Sequence, residues 1–153
     1  MGSVDIKDMF FAIPIHEDHW PLLAFTWLGQ QYTYTVLPQG WVHSPTLTHG
    51  VLAAVIHKVQ LSHPKMHVWQ YVNDVIMGGQ DQELIICAFE SLKEKVQAFG
   101  FVLSSKKIQE AGPQCKFLGI QWQQGGPTIP AKKLQSLVNT PAPNNVKELQ
   151  AQL

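Results

Sequence analysis

Arginine is missing from this 153-residue chain. All 11 basic side chains are lysines, 11 acids balance them, and the formal net charge is zero. A chain so balanced does not grip nucleic acid by bulk electrostatics alone. Any contact with a polyanion has to come from local clusters such as Lys106-Lys107 or Lys132-Lys133, pairs that more often are solvated surface. Cysteine is scarce: Cys87 and Cys115 are isolated thiols, which excludes a four-cysteine zinc site and a disulfide framework and fits a reduced, intracellular (cytoplasmic) setting. No apolar run approaches the roughly 18 residues of a membrane span. Met1-Gly2-Ser3-Val4-Asp5 lacks the basic and then apolar order of a signal peptide. Charged residues are few, at 14%, but hydrophobic residues reach 45%. That composition builds a core and excludes a disordered chain, and the length suits one domain or part of a larger one.

Elements follow from periodicity and punctuation. Val4, Ile6 and the run Met9 to Ile15 read as strand-like, with Pro14 and Pro21 opposing a long helix. Leu22 to Trp27 and Gln31 to Leu37 read as strands joined by a turn at Leu28-Gly29-Gln30. Leu37-Pro38-Gln39-Gly40 is a loop. Ser44-Pro45 reads as an N-cap and first helical position, opening a helix to about Gln60 whose apolar face is Leu47, Val51, Leu52, Val55, Ile56 and Val59. Val68 to Val72 and Val75 to Met77 read as a hairpin turning on Asn73-Asp74, residue types that tolerate positive φ. Asp81 caps a helix to about Phe99, with Ile85, Ala88, Phe89, Leu92, Val96 and Phe99 on one face and Gly100 as its stop. Phe101 to Leu103 and Lys116 to Trp122 read as strands, Gly125-Gly126-Pro127 as a turn, Thr140 to Pro143 as a linker, and Asn145 to Leu153 as the start of a further helix. Two helices on one face of an antiparallel sheet make an α+β fold of the split βαβ, ferredoxin-like kind.

In that layout the first strand and the central hairpin are neighbours, so Asp5 and Asp74 meet at one end of the sheet, where two carboxylates suit Mg²⁺. The plainer reading is that Asp5 ends a strand and Asp74 forms a turn. Other constellations carry less. His16-Glu17-Asp18-His19 is one residue short of a zinc-protease signature. His63 and His67 straddle Pro64. The tryptophans 20, 27, 41, 69 and 122 are of a type that stacks bases, but most read as core or interface residues.

The stretches Asp5-Ile6-Lys7-Asp8-Met9-Phe10-Phe11, Leu37-Pro38-Gln39-Gly40, Ser44-Pro45, Tyr71-Val72-Asn73-Asp74 and Phe117-Leu118-Gly119 together resemble the palm of a retroviral reverse transcriptase. Motif content, order and spacing agree over nearly the whole chain. Ala24 to Trp27, Gln31 to Tyr34 and His43 to Thr46 fit the same family stretch. The resemblance is to gammaretrovirus-like Pol polyproteins of vertebrate endogenous retroviruses, and it implies an RNA-directed DNA polymerase. Residues 1–11 would then be a palm strand, 12–43 an inserted fingers part with its hairpin, 44–124 the rest of the palm, and 125–153 the link to the thumb and its start. Asp5 matches a catalytic aspartate that binds both metal ions, and Asp74 a second catalytic, metal-facing aspartate. Asp8 matches an acid near the triphosphate, Phe10 the aromatic gate beneath the sugar, and Gln39 a glutamine touching the incoming nucleotide. Tyr71 and Val72 match residues beneath the primer end, Lys106 falls near a nucleotide-facing lysine, and Phe117, Leu118 and Gly119 match the primer grip. Two Mg²⁺ ions, with Mn²⁺ as a substitute, a template-primer of RNA or DNA and a deoxynucleoside triphosphate are the implied cofactors and partners. No membrane is among them.

The chain departs from that pattern at one decisive place. The family hairpin reads Tyr-x-Asp-Asp; here Asn73 stands at the first aspartate. An amide has the shape of a carboxylate but is neutral and carries an NH₂ donor. Losing a unit charge that faces divalent ions costs several kcal/mol at an effective dielectric near 20, and about 1.36 kcal/mol of barrier is tenfold in rate. Turnover is therefore expected to fall by several orders of magnitude. The family's preceding fingers segment, most of its thumb and its RNase H domain have no counterpart here, so weak template-primer binding and exposed apolar surface are expected as well. The resemblance leaves two alternatives open: an active polymerase within a longer product, and a non-catalytic relic that binds nucleic acid or protein.

Overall fold

The computed structural model describes residues 1–123 and 126–140, together with 146, 147 and 150. Among the described residues, nine strands and three α-helices run in the order β1 (Gly2–Lys7), β2 (Ala24–Trp27), β3 (Gln30–Thr33), α1 (Ser44–Ser62), β4 (His67–Tyr71), β5 (Asp74–Gly78), α2 (Gln82–Ala98), β6 (Val102–Leu103), β7 (Gln114–Phe117), β8 (Ile120–Gln123), β9 (Gly126–Thr128) and α3 (Ala131–Asn139). The main sheet is antiparallel, in the order β4-β5-β1-β6. The β2–β3 hairpin is inserted between β1 and α1, and β7-β8-β9 form a third, separate sheet.

Strand alternation decides what each face does. Val4 and Ile6 of β1, with Val75 and Met77 of β5, point at α1 and α2, where Leu52, Val55, Val59, Ala88, Phe89, Leu92 and Val96 complete one core. Asp5 and Ser3, one residue out of phase, face the other way. There Ile76 joins Cys115 and Phe117 of β7 in a smaller cluster. Two helices thus cover one face of the sheet and the paired carboxylates occupy the other, as the α+β reading requires.

Several local expectations are corrected. The run after Ile6 does not stay extended: Asp8 takes a left-handed φ of 50° and the chain enters a 3₁₀ turn at Met9–Ala12. Glu17–Leu23 is also 3₁₀, which shortens the expected first hairpin strand, and the second ends at Thr33 rather than Leu37. Leu28 and Gly29 alone make the hairpin turn, at φ of 50° and 76°. Ser44 is not the N-cap of α1. His43 holds that place, and the Ser44 hydroxyl donates to the Pro38 carbonyl at 2.7 Å, tying the helix start to the preceding loop. The buried stripe of α1 runs through Ser44, Thr48, Leu52, Val55, Ile56 and Val59, so Leu47 and Val51 are exposed. Thr48 tolerates burial because its hydroxyl donates to the Ser44 carbonyl at 2.8 Å. In α2, Asp81 caps as expected by accepting from the amides of Glu83 and Leu84, but Phe99 lies beyond the helix and is half exposed.

The stretch from Lys116 to Trp122 is not one strand. It folds at Leu118-Gly119 into the β7–β8 hairpin. Gly126–Thr128 is strand β9 rather than turn, Gly125 lies outside the described residues, and α3 was not foreseen. The expected linker at 141–143 lies outside the described residues, and so does most of the further helix from Asn145.

The central hairpin turns one residue earlier than its composition suggests. Tyr71 pairs with Asp74, so Val72-Asn73 forms the turn and Asp74 opens β5. Val72 is left at a φ of 52°. A β-branched side chain there costs about 1–3 kcal/mol. Val72→Asn is expected to raise the thermal midpoint by about 2–4 °C. An unchanged or lower midpoint in calorimetry would contradict the strain.

Candidate active site

The register of β1 on β5 sets Asp5 directly opposite Asp74. The amide of Ile6 donates to the Asn73 carbonyl at 2.9 Å, and the Asp5 carbonyl accepts from the Ser104 amide at 2.8 Å. The main chain on both sides of Asp5 is therefore fixed before any side chain is considered. Asp5 is only 7% exposed, so its carboxylate needs protein partners. Two donors meet its Oδ2: the Asn73 side-chain amide at 3.1 Å and the Lys107 ammonium at 3.0 Å. The same Asn73 nitrogen reaches the Ile6 carbonyl at 3.5 Å. Asp74 lies beside this group. Burial first, then the Asp5 charge and a hydrogen bond shared with Asp5, push its carboxyl above the usual carboxylate range, against the opposing pull of Lys107.

These residues open onto a cleft of about 510 Å³ lined by Asp5, Asp74, Lys106, Lys107, Lys116 and the turn Phe117-Leu118-Gly119, among others. Leu118 and Gly119, at φ of 52° and 74°, form the tip of that wall. A larger apolar groove of about 1090 Å³, which includes Trp69, Ile76, Leu84 and Trp122, shares Phe117 with the cleft but holds no facing pair of carboxylates. The smaller cavity is the one with chemistry.

Most residues singled out from the sequence come together. Asp5, Asp74, Lys106, Phe117, Leu118 and Gly119 share the cleft, Asn73 bonds to Asp5, and Tyr71 and Val72 form the adjoining hairpin tip, both exposed. Phe117 itself is buried against Ile76 and Cys115, so the turn that follows it, not its ring, is what the cleft sees. Asp8 and Phe10 follow β1 directly. Asp8 is exposed, 3.7 Å from the Lys7 ammonium, and Phe10 packs partly against the core. Gln39 is exposed in its loop and does not line the cleft. His16 caps the 3₁₀ turn at Glu17–Leu23, and no group of three or more His, Cys, Asp or Glu is placed to hold a metal ion among the described residues.

Two residues escaped the sequence reading. Lys107, not its neighbour Lys106, reaches Asp5. Gln109 joins the cleft walls: its side chain donates to the Ser3 hydroxyl and the Lys116 carbonyl, both at 2.6 Å, and accepts from the Lys116 amide at 2.8 Å, while its backbone exchanges two hydrogen bonds with Ser3. The adjacency of the two lysines hid the first. A lone glutamine in a polar loop gave no signal for the second.

An antiparallel sheet backed by two helices, with carboxylates facing each other across β1 and β5 beside a hairpin turn, fits a polymerase palm. The family model described as reverse transcriptase (RNA-dependent DNA polymerase) matches residues 1–122, and the chain belongs to that family. It is 30% identical over 149 residues to the Gag-Pol polyprotein of Walleye dermal sarcoma virus, which covers 97% of this chain and 8% of that polyprotein. The Pol polyprotein of Feline endogenous virus ECE1 is 28% identical over 152 residues, covering 95% of this chain and 14% of its own length. Among solved structures, the foamy viral protease-reverse transcriptase in complex with double-stranded DNA matches with a TM-score of 0.82 at 26% identity, over 98% of this chain and 25% of that one. The chain thus spans a small part of the length of its relatives.

The donor set does not fit the pair of divalent ions that the resemblance implies. Asp5 and Asp74 supply two negative charges, Asn73 supplies none, and the Lys107 ammonium already offsets one. The raised Asp74 pKa has a measurable consequence. An acid whose pKa is higher folded than unfolded contributes stability below its unfolded pKa, near 4, and loses it as pH rises through the folded value. Asp74→Asn is expected to melt higher than the parent at pH 7 and equally at pH 3. A variant no more stable at pH 7 would refute the unfavourable ionisation.

Proposed function

We propose that this chain is the palm, with part of the fingers, of a retroviral-type RNA-directed DNA polymerase, and that its catalysis is impaired by orders of magnitude. The Asn73–Asp5 hydrogen bond carries this reading. At the position where the family presents a carboxylate oxygen to a cation, this chain presents an N–H donor to the neighbouring carboxylate. Asp5 and Asp74 are the metal-facing pair that remains, a donor set suited to one Mg²⁺ or Mn²⁺ at most and not to two. Residues 1–11 and 44–124 constitute the palm, 12–43 the fingers part, and 125–153 the link to the thumb.

The substrates proposed are a template-primer and a deoxynucleoside triphosphate within a longer, intracellular Pol product. Lys106 and Asp8 would face the triphosphate, Phe10 the sugar, Gln39 the incoming nucleotide, Tyr71 and Val72 the primer end, and the Phe117–Gly119 turn the primer strand. The cleft supports nucleic-acid contact despite the zero net charge, because Lys106, Lys107 and Lys116 line it together. That local cluster favours a second reading, a palm that still holds nucleic acid without extending it. No helix among the described residues is long and apolar enough to cross a membrane.

The test places residues 4–122 in a competent polymerase of the family, with Asn73 and with Asn73→Asp, in Mg²⁺ and in Mn²⁺. The aspartate chimera is expected to extend primers at least about a thousandfold faster, since the lost charge corresponds to several kcal/mol of barrier. Comparable extension by the two chimeras would sink the impaired reading. Equal, retained duplex binding by both would favour the second.

A further inference from the structure

We propose that Lys107 is a resident counter-ion of the carboxylate pair, a side-chain cation that holds the place on Asp5 a divalent ion would need. The inference rests on the ligand chemistry of Asp5 and Asp74 in the reading above and does not require that the protein polymerise anything.

Two observations carry it. The first is saturation of one oxygen. Asp5 Oδ2 accepts from the Lys107 ammonium at 3.0 Å and from the Asn73 amide at 3.1 Å. A carboxylate oxygen offers about two lone-pair directions, and both of those on Oδ2 are taken, so an ion is left with Oδ1 and the Asp74 carboxylate beside the ammonium. A Mg²⁺ ion binding the same oxygen would sit about 2.1 Å away, against a positive charge and without a free lone pair. The second is that the lysine is delivered by the fold. The Ser104 amide donates to the Asp5 carbonyl, and the Lys107 amide donates to the Ser104 carbonyl at 2.9 Å. Two residues beyond, Gln109 is pinned to Ser3 by backbone and side chain. The turn that carries Lys107 is therefore fastened to β1 on both sides of the ammonium. An Asp at position 73 would repel Asp5, whereas Asn73 supplies a second donor to the oxygen that Lys107 holds. The amide and the ammonium act together to neutralise the site from within.

Lys107 is two-thirds exposed while the Asp5 side chain is 10% exposed. The pair is accordingly screened on one side only, and Lys107 competes with a metal rather than forbidding one. Removing its charge should open the site even with Asn73 in place.

The experiment titrates the full chain with Mn²⁺ and reads free ion by electron paramagnetic resonance, independently of any activity. Lys107→Met, which keeps most of the aliphatic stem, is expected to bind Mn²⁺ at least about tenfold more tightly than the parent. Lys107→Arg, which keeps the charge, is expected to match the parent. Adding Asp5→Asn to Lys107→Met should abolish the gain, which locates the ion. Far-UV circular dichroism confirms that each variant is folded, and Lys107→Gln replaces Lys107→Met if the latter is not. A gain under tenfold, a gain that Lys107→Arg shares, or one that survives Asp5→Asn overturns the proposal. If the chimeras both stay silent while Lys107→Met opens an Mn²⁺ site, the polymerase reading fails and this one stands. The reverse pattern separates them the other way.

Discussion

The pairing of β1 with β5 is the constraint on which the rest of this structure depends. It sets Val4 opposite Val75 and Asp5 opposite Asp74 in one register, and because side chains alternate across a strand, a single choice sends the valines into the helical core and the aspartates to the open face. A slip of β1 by one residue would turn Asp5 toward Phe89 and Leu92 and send Val4 and Ile6 to the open face. The hydrophobic core therefore does more than stabilise the sheet. It fixes the relative height of two charges that would otherwise repel each other apart, and the energy that holds them together is drawn from apolar contacts on the far side of the same strands.

That coupling explains which parts were legible in the sequence. The order of elements, the neighbouring aspartates and the Asp81 cap rest on residue types whose preferences are strong and local. The hairpin turn was misplaced for a specific reason. Asn and Asp favour left-handed backbone, so local preference puts the turn on Asn73-Asp74. Burial of Val75 and Met77 fixes the register instead and forces Val72 into the unfavourable conformation. The Leu118-Gly119 turn was hidden because an apolar residue occupies its first position inside an otherwise continuous strand-like run. In the α1 helix, Ser44 and Thr48 face inward and could be read as polar surface until their hydroxyls are seen to be satisfied by the Pro38 and Ser44 carbonyls. In each case a tertiary contact outweighed a local preference.

The candidate site shows the same division. Asp5, Asp74 and the residues Phe117, Leu118 and Gly119 were singled out by pattern, because position in a motif identifies them, although the turn they form was not. Lys107 was not, because which of two adjacent lysines turns inward is decided by the Ser104 turn and not by composition. The substitution at Asn73 was visible at once as a lost charge. Its second effect, an N–H aimed at Asp5, depends on amide orientation and on the strand register together.

The Gln109 side chain has a further consequence for the cleft as a mechanical object. The sheet that carries Asp5 and the hairpin that carries Leu118 belong to separate ladders. What spans them is an amide that donates and accepts against Lys116 as a neighbouring strand's backbone would, backed by the small cluster of Ile76, Cys115 and Phe117. A side chain thus serves as a single rung between two ladders. The Met1–Gly112 and Ser3–Gln109 hydrogen bonds fasten the same segment to β1, so the Gln109 side chain helps set the spacing of the two walls of the cleft.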